Sequence, residues 1–216
     1  VPLSNLIRFH HDLESNTTTA LNRRAFEWHA DPRLIMLKGS FYILWNDGSN
    51  KPYNSQFLMR LDANGHPAGV AKLVVLVNSM RRHVEKNWMF FESNNTVFVE
   101  YCSTYPKRII LEADIDSHES VVPCTLVSQL TYEDSSYEKF WGEMRGGASP
   151  ISWVGSDGSR SYLSIDHSRV KVGNGKVNYE VCAHEFTVPP FALKSKTVSP
   201  LLLRSLHADD LKQSPG

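Results

Sequence analysis

The stretch that decides the fold is Trp28-His29-Ala30-Asp31-Pro32-Arg33-Leu34-Ile35-Met36-Leu37-Lys38-Gly39-Ser40-Phe41-Tyr42-Ile43-Leu44-Trp45-Asn46. Two apolar runs, Leu34 to Leu37 and Phe41 to Trp45, flank the turn Lys38-Gly39-Ser40. β-Branched and aromatic residues on both sides of a glycine-containing turn specify a β-hairpin. Asp31-Pro32-Arg33 stands in front of the first strand. Proline fixes its own φ and steers the residue before it toward extended geometry, so the tripeptide is expected to form a rigid corner. Such a corner presents an acid and a base at the mouth of a strand, and a rigid scaffold can aim them. The plainer reading, in which Asp31 and Arg33 pair with each other or cap the turn, stands beside the functional one.

Working outward, residues 1–27 are polar and aperiodic, and Asn16 to Thr19 reads as a loop. On the other side, Asn46 to Pro52 is a loop by its turn chemistry. Gln56 to Leu61 and Val70 to Val77 are predicted strands around the turn Asp62-Ala63-Asn64-Gly65. The same grammar then restarts twice. Glu85-Lys86-Asn87-Trp88 leads into Met89-Phe90-Phe91, the turn at Glu92 to Asn95, and the alternating strand Thr96 to Cys102. Tyr105-Pro106 interrupts it, Arg108 to Ala113 resumes, and Val121 to Leu130 reads as a strand pair or one bent strand. Arg145-Gly146-Gly147-Ala148-Ser149-Pro150 opens the third unit, which runs through Ile151 to Val154, Ser161 to His167, Val177 to Phe186 and a short strand near Phe191 to Lys194.

The unit starts, near Asp31, Lys86 and Gly146, recur at intervals of roughly 55–60 residues. Four-stranded units at about that spacing mark propeller blades, whereas a β-sandwich gives many short strands without a recurring start. A charged turn at the same place in every unit favours the propeller, because innermost strands begin around one channel. The expectation is an all-β, β-propeller-like chain with three clear blades. Residues 1–216 are read as one propeller-type domain, with the first blade not recognisable in residues 1–27 and a tail from Ser205 that frays.

Hydrophobic residues form 41% of the chain, enough for a core rather than disorder. Lys plus Arg is 23 and Asp plus Glu is 23, so charge gives no case for nucleic acid or an anionic membrane as partner. No apolar run approaches the roughly 18 residues of a spanning helix, and the start Val1-Pro2-Leu3-Ser4-Asn5 does not read as a signal peptide. Cys102, Cys124 and Cys182 are too few and too scattered for a disulfide framework or a zinc site; one bridge and a free thiol remain open. Asn16-Thr17-Thr18 and Asn94-Asn95-Thr96 are glycosylation sequons and tilt the compartment toward secretory, with cytoplasmic the other option.

The chemistry-bearing residues cluster at the unit starts. Asp31 can donate a proton; Arg33 can hold a hydroxyl or an anion bidentately. Glu85, Lys86 and Asn87 beside Trp88 look like a sugar subsite, polar heads against an aromatic wall. Gly146 and Gly147 would let backbone come close to a ligand, with Arg145 as an anion contact. His167 ends a strand next to Asp166. Each has a structural alternative: a cap, an edge-strand charge pair, a plain turn, a satisfied histidine. Close Cys pairs are absent from the sequence, so no metal is expected.

Asp31-Pro32-Arg33, Glu85-Lys86-Asn87-Trp88 and Gly146-Gly147-x-x-Pro150, in this order and each before a strand, resemble the β-mannoside phosphorylase family (glycoside hydrolase family 130 and related eukaryotic mannosyltransferases). Tyr162-Leu163 to His167, Tyr179, Pro189 and Ser199-Pro200-Leu201 extend the resemblance over about residues 28–202. It implies a five-bladed β-propeller that cleaves or forms β-mannoside-type bonds with inversion. It also implies Asp31 as general acid, basic residues around the channel for phosphate, an oligosaccharide or glycan partner, and phosphate or a sugar phosphate as co-substrate without other cofactors. The sequence departs from the family where a His-Arg-Pro type strand end is expected: Tyr101-Cys102-Ser103-Thr104-Tyr105-Pro106 carries no arginine before the proline. Transferase and phosphorylase are therefore expected about equally, hydrolase third, with a non-catalytic glycan-binding or scaffold propeller as the alternative. An enzyme is expected to line one cleft with Asp31, Arg33, Lys86, Arg145 and His167.

Overall fold

The computed structural model describes residues 30–46, 55–77, 86–102, 107–131, 143–171, 177–189 and 191–198. All regular structure among them is β-strand, so the fold is all-β. The first four strands are β1 (Ala30–Leu37), β2 (Ser40–Asn46), β3 (Gln56–Leu61) and β4 (Lys72–Leu76). The next four are β5 (Met89–Ser93), β6 (Thr96–Cys102), β7 (Lys107–Ala113) and β8 (Val121–Thr131). The last four are β9 (Glu143–Val154), β10 (Arg160–Lys171), β11 (Val177–Phe186) and β12 (Leu193–Val198). Within each set of four, strands that follow one another in sequence are neighbours in the sheet, a propeller-like strand order. One sheet runs β1-β2-β3-β4-β8-β7-β6-β5 and the other β12-β11-β10-β9. The parallel pairing of β4 with β8, Leu73 opposite Val121 through Leu76 opposite Cys124, joins the first two sets. The chain divides into two compact units, Val1–Val99 with Leu111–Leu126, and Glu100–Ile110 with Val127–Gly216.

In the first unit the predicted hairpin forms. Its turn is only Lys38-Gly39, at φ 47° and 69°, and Ser40 already pairs with Leu37. Two residues with positive φ make a turn whose twist matches the strands it joins. Asn94 and Asn95, at φ 49° and 61°, do the same between β5 and β6. β2 from Tyr42 onward and β3 apart from Arg60 are buried on both faces, which is why Tyr42 to Trp45 reads as a continuous apolar run rather than an alternation. Trp45 lies opposite Phe57 in the register, and their rings stack with centroids 5.6 Å apart. With Ile43, Met59, Leu61 and Ala71 they form one core cluster. β4 is shorter than the run Val70 to Val77 suggested, and both of those valines are exposed. β8 is a single strand in which Pro123 is accommodated opposite Val75.

In the second unit β10 pairs on both sides, with β9 and with β11. Tyr162 lies opposite Phe186, and their rings stack at 5.6 Å. The β9–β10 register shifts between Leu163 and Ile165 and again before Asp166. Gly147 sits at that irregularity: a Cβ built there would lie 2.2 Å from the Ile165 carbonyl oxygen. β12 begins at Leu193, later than expected, because Phe191 turns into the left-handed region at φ 65° and is buried.

Gly147→Ala must push the two strands apart, since the atom in the way is backbone rather than a flexible side chain. It is expected to cost about 1–3 kcal/mol, as other overpacked sites do. The urea unfolding midpoint measures this; an unchanged midpoint would show that the bulge has slack.

Candidate functional site

The polar residues of the first unit collect where β1 and β5 begin and β2 ends. Asp31 is exposed and lies in the left-handed region at φ 54°, not in the extended geometry expected before proline. The bulge between Ala30 and Arg33 overrides the proline's preference, and aspartate is among the few residues that tolerate the region. Its carboxylate accepts a hydrogen bond from Asn46 Nδ2 at 3.1 Å. Asn46 is 3% exposed, so its amide is a fixed strut. Asn87, in front of β5, is the counterpart of Asp31 at φ 62°. Arg33 joins the two starts. It donates to Asn87 Oδ1 and to the Trp88 carbonyl, each at 3.2 Å. Burial lowers the pKa of this guanidinium, and the neighbouring charge of Asp31 opposes that shift. Arg33 thus spends donors on holding the β5 start in place.

Trp88 is buried and also walls a cleft of about 130 Å³ with Ser55, Gln56 and the β4 run Leu73 to Leu76. Gln56 pairs with Asn46 in the β2–β3 register, so the cleft lies at the same sheet end as Asp31. Lys86 is exposed immediately before Asn87, and Glu85 lies outside the described residues. The structure therefore brings Asp31, Arg33, Asn87 and Trp88 together and adds Asn46 and Gln56, two buried amides. Both end apolar runs at one end of the sheet, a signal that the turn chemistry around them masked.

The opposite end of the same sheet is held by other charges. Glu92 accepts from the Lys38 backbone N–H at 2.5 Å, and the Lys38 ammonium bonds Asp116 at 2.6 Å. Lys72 donates to the carbonyls of Ile115 and Ser117. These contacts fix loops and leave the Asp31 end free of them.

Arg145, Gly146, Gly147 and His167 belong to the second unit. His167 pairs with Arg145, and Gly146 with Asp166, across β9 and β10. The close approach that requires glycine at residue 147 is to Ile165. His167 is half-buried on the face opposite Asp166, since successive strand residues alternate. Asp166, His184, Glu100 and Arg108 form a buried chain that the sequence reading did not select. His184 Nδ1 is 3.1 Å from Asp166 and its Nε2 is 3.2 Å from Glu100. Arg108 Nε donates to Glu100 at 2.6 Å and Nη1 to the Phe191 carbonyl at 2.7 Å. The guanidinium carbon lies 4.2 Å from the centre of the Phe186 ring. Arg108 and Glu100 are 1% and 0% exposed, a depth at which charges persist only when paired. Among the described residues Glu100 Oε2 and Arg108 Nη2 find no hydrogen-bond partner, so the network is bought with some desolvation left over.

No family model matches the chain, and no curated protein matches it. A solved structure described as Bacteroides ovatus xyloglucan PUL GH43B matches with TM-score 0.39 and 13% identity. The match covers 82% of this chain and 36% of that one, so the chain spans about a third of that structure's length.

The buried chain has a pH signature. Burial alone would push the His184 imidazole down, but Glu100 and Asp166 outweigh it and raise the imidazole to about 9, from an ordinary 6.5. Burial alone would push Glu100 up, but Arg108 and His184 hold it at about 2, below the ordinary 4.5. A raised group stabilises fully below its unfolded value, so the His184 contribution is complete below about 6.5 and is lost as pH climbs through about 9. The depressed Glu100 contributes fully above about 4.5 and loses that contribution as pH falls toward about 2. Thermal unfolding across these ranges is expected to give a plateau between the two ordinary values and a decline on the alkaline side that His184→Gln flattens. A wild-type curve level through the alkaline range would contradict this reading.

Proposed function

We propose that this chain contributes a glycan site to a carbohydrate-active protein, with the reacting bond at Asp31. The observation that carries the reading is the Asp31 end of the first unit. An exposed carboxylate is fixed by a buried amide, an arginine ties down a second amide, and a tryptophan walls the adjoining cleft. Carboxylate and amide heads around an aromatic residue suit vicinal hydroxyls on a ring with an apolar face. The resemblance of Asp31-Pro32-Arg33 and its companions to the β-mannoside phosphorylase family supports β-mannoside-type bonds as the target and inversion as the outcome. On this reading Asp31 protonates the leaving glycosidic oxygen as the C–O bond breaks, and an acceptor forms its bond at the anomeric carbon from the opposite face. Lys86, exposed beside Asn87, suits an anionic group there, which is the phosphate of a phosphorolysis or of an activated sugar donor.

One feature favours a second reading, a glycan-binding propeller without turnover. Asp31 is exposed and its carboxylate is bonded to an amide. General acids are usually kept protonated by burial or by a second carboxylate. A binding carboxylate has no such requirement.

The full-length protein is incubated with mannose 1-phosphate, and separately with a nucleotide-activated mannose, in the presence of manno-oligosaccharide. Elongation is expected, with inorganic phosphate or the nucleotide leaving the donor, and Asp31→Asn should lower it by roughly 10²–10⁴-fold, the usual scale of a general acid. Full turnover in Asp31→Asn would remove the acid assignment. Saturable mannoside binding without turnover, lost in Asp31→Ala, would establish the binding reading in its place.

A further inference from the structure

The sequon Asn94-Asn95-Thr96 plays no part in the site described above. It forms the turn between β5 and β6, with Asn94 and Asn95 both exposed and both left-handed. That conformation accounts for asparagine at either position, since asparagine tolerates positive φ, but places no demand on residue 96. Thr96 completes an Asn-x-Thr acceptor on a solvent-facing turn, where a bulky, solubilising modification is carried without cost to the core. Among the described residues the Asn94 side chain makes no hydrogen bond that a modification would break.

Position within the unit matters as much as exposure. Asn94 lies at the C-terminal end of β5, and Asn87 and Trp88 lie just before its N-terminal end. Six residues of extended chain separate Trp88 from Asn94, about 20 Å at the rise of a β-strand. The Asn94 end is the one where Glu92 holds the Lys38 turn, not the end where Asn46 holds Asp31. A glycan there projects away from the cleft lined by Trp88.

We infer that Asn94 carries an N-linked oligosaccharide and that the chain is made in a compartment that supplies one. The step transfers an oligosaccharide from a lipid diphosphate. The Asn94 amide nitrogen forms a bond to the anomeric carbon, the bond from that carbon to the diphosphate oxygen breaks, the amide loses one proton, and the lipid diphosphate leaves. The transfer takes place on the emerging chain, before the β5–β6 hairpin closes, and the folded turn then presents the sugar to solvent.

The test uses the full chain purified from the cells that make it. Amidase release of N-glycans in heavy-oxygen water, followed by peptide mass spectrometry, is expected to convert Asn94 to heavy-oxygen-labelled aspartate. Asn94→Gln made in the same cells should migrate faster by the mass of one oligosaccharide. An unlabelled Asn94 in the wild-type protein would overturn the inference, as would labelling confined to Asn16. The wild-type measurement stands even if the variant fails to fold.

Discussion

A guanidinium partly withdrawn from water needs acceptors, and Arg33 finds its acceptors on a segment more than fifty residues away in sequence. For it to reach them, both strand starts have to leave ordinary extended geometry. Asp31 and Asn87 each turn left-handed, and each is a residue type for which that is inexpensive. The bulge in β1 follows from the same demand, since the chain must step aside to place Asp31 outward and Arg33 inward. Such a departure persists only where surrounding contacts fix it. Asn46, locked in the core at the end of β2, is one such contact, and Trp88, buried beside the cleft, is another. The arrangement of the proposed site is thus a consequence of satisfying one half-buried cation.

The second unit is governed by a related constraint with a different solution. Arg108 is almost wholly removed from solvent and is held by a carboxylate, a carbonyl and an aromatic face. Glu100 in turn needs more than one cation, and His184 supplies the other by remaining charged at neutral pH. Such a network contributes less to net stability than apolar packing of the same volume often does. Replacing one member leaves the others as uncompensated charges.

Much of the fold was legible along the chain because strands and tight turns are local. Gly39 with flanking apolar runs gave the first hairpin, and Asn94-Asn95 gave the second. The recurrence of a charged turn before Leu34, Met89 and Ile151 gave the four-strand grouping. What escaped were features set by distant partners. The left-handed turn at Asp31 runs against the preference that Pro32 imposes and exists because of the bulge. Gly147 reads as a turn glycine, yet it sits inside β9 because Ile165 passes close by. In the candidate site, Asp31, Arg33, Asn87 and Trp88 were visible as polar residues at strand starts. Asn46 and Gln56 were not, because each looks like the polar edge of a loop until the register sets them opposite one another. Glu100 and His184 lie 84 residues apart, and no periodicity in either strand announces that one will neutralise the other.

The central claim is that the β1 and β5 starts, joined by Arg33, form one sugar-binding surface on the first unit. Titrating a manno-oligosaccharide into the isotopically labelled full-length protein, and following the side-chain amides and the indole N–H by NMR, tests it most directly. The account predicts saturable shifts that converge on Asn46, Gln56, Asn87 and Trp88 and that vanish in Asp31→Ala. Saturable shifts that map elsewhere, with these four signals unmoved, would contradict it.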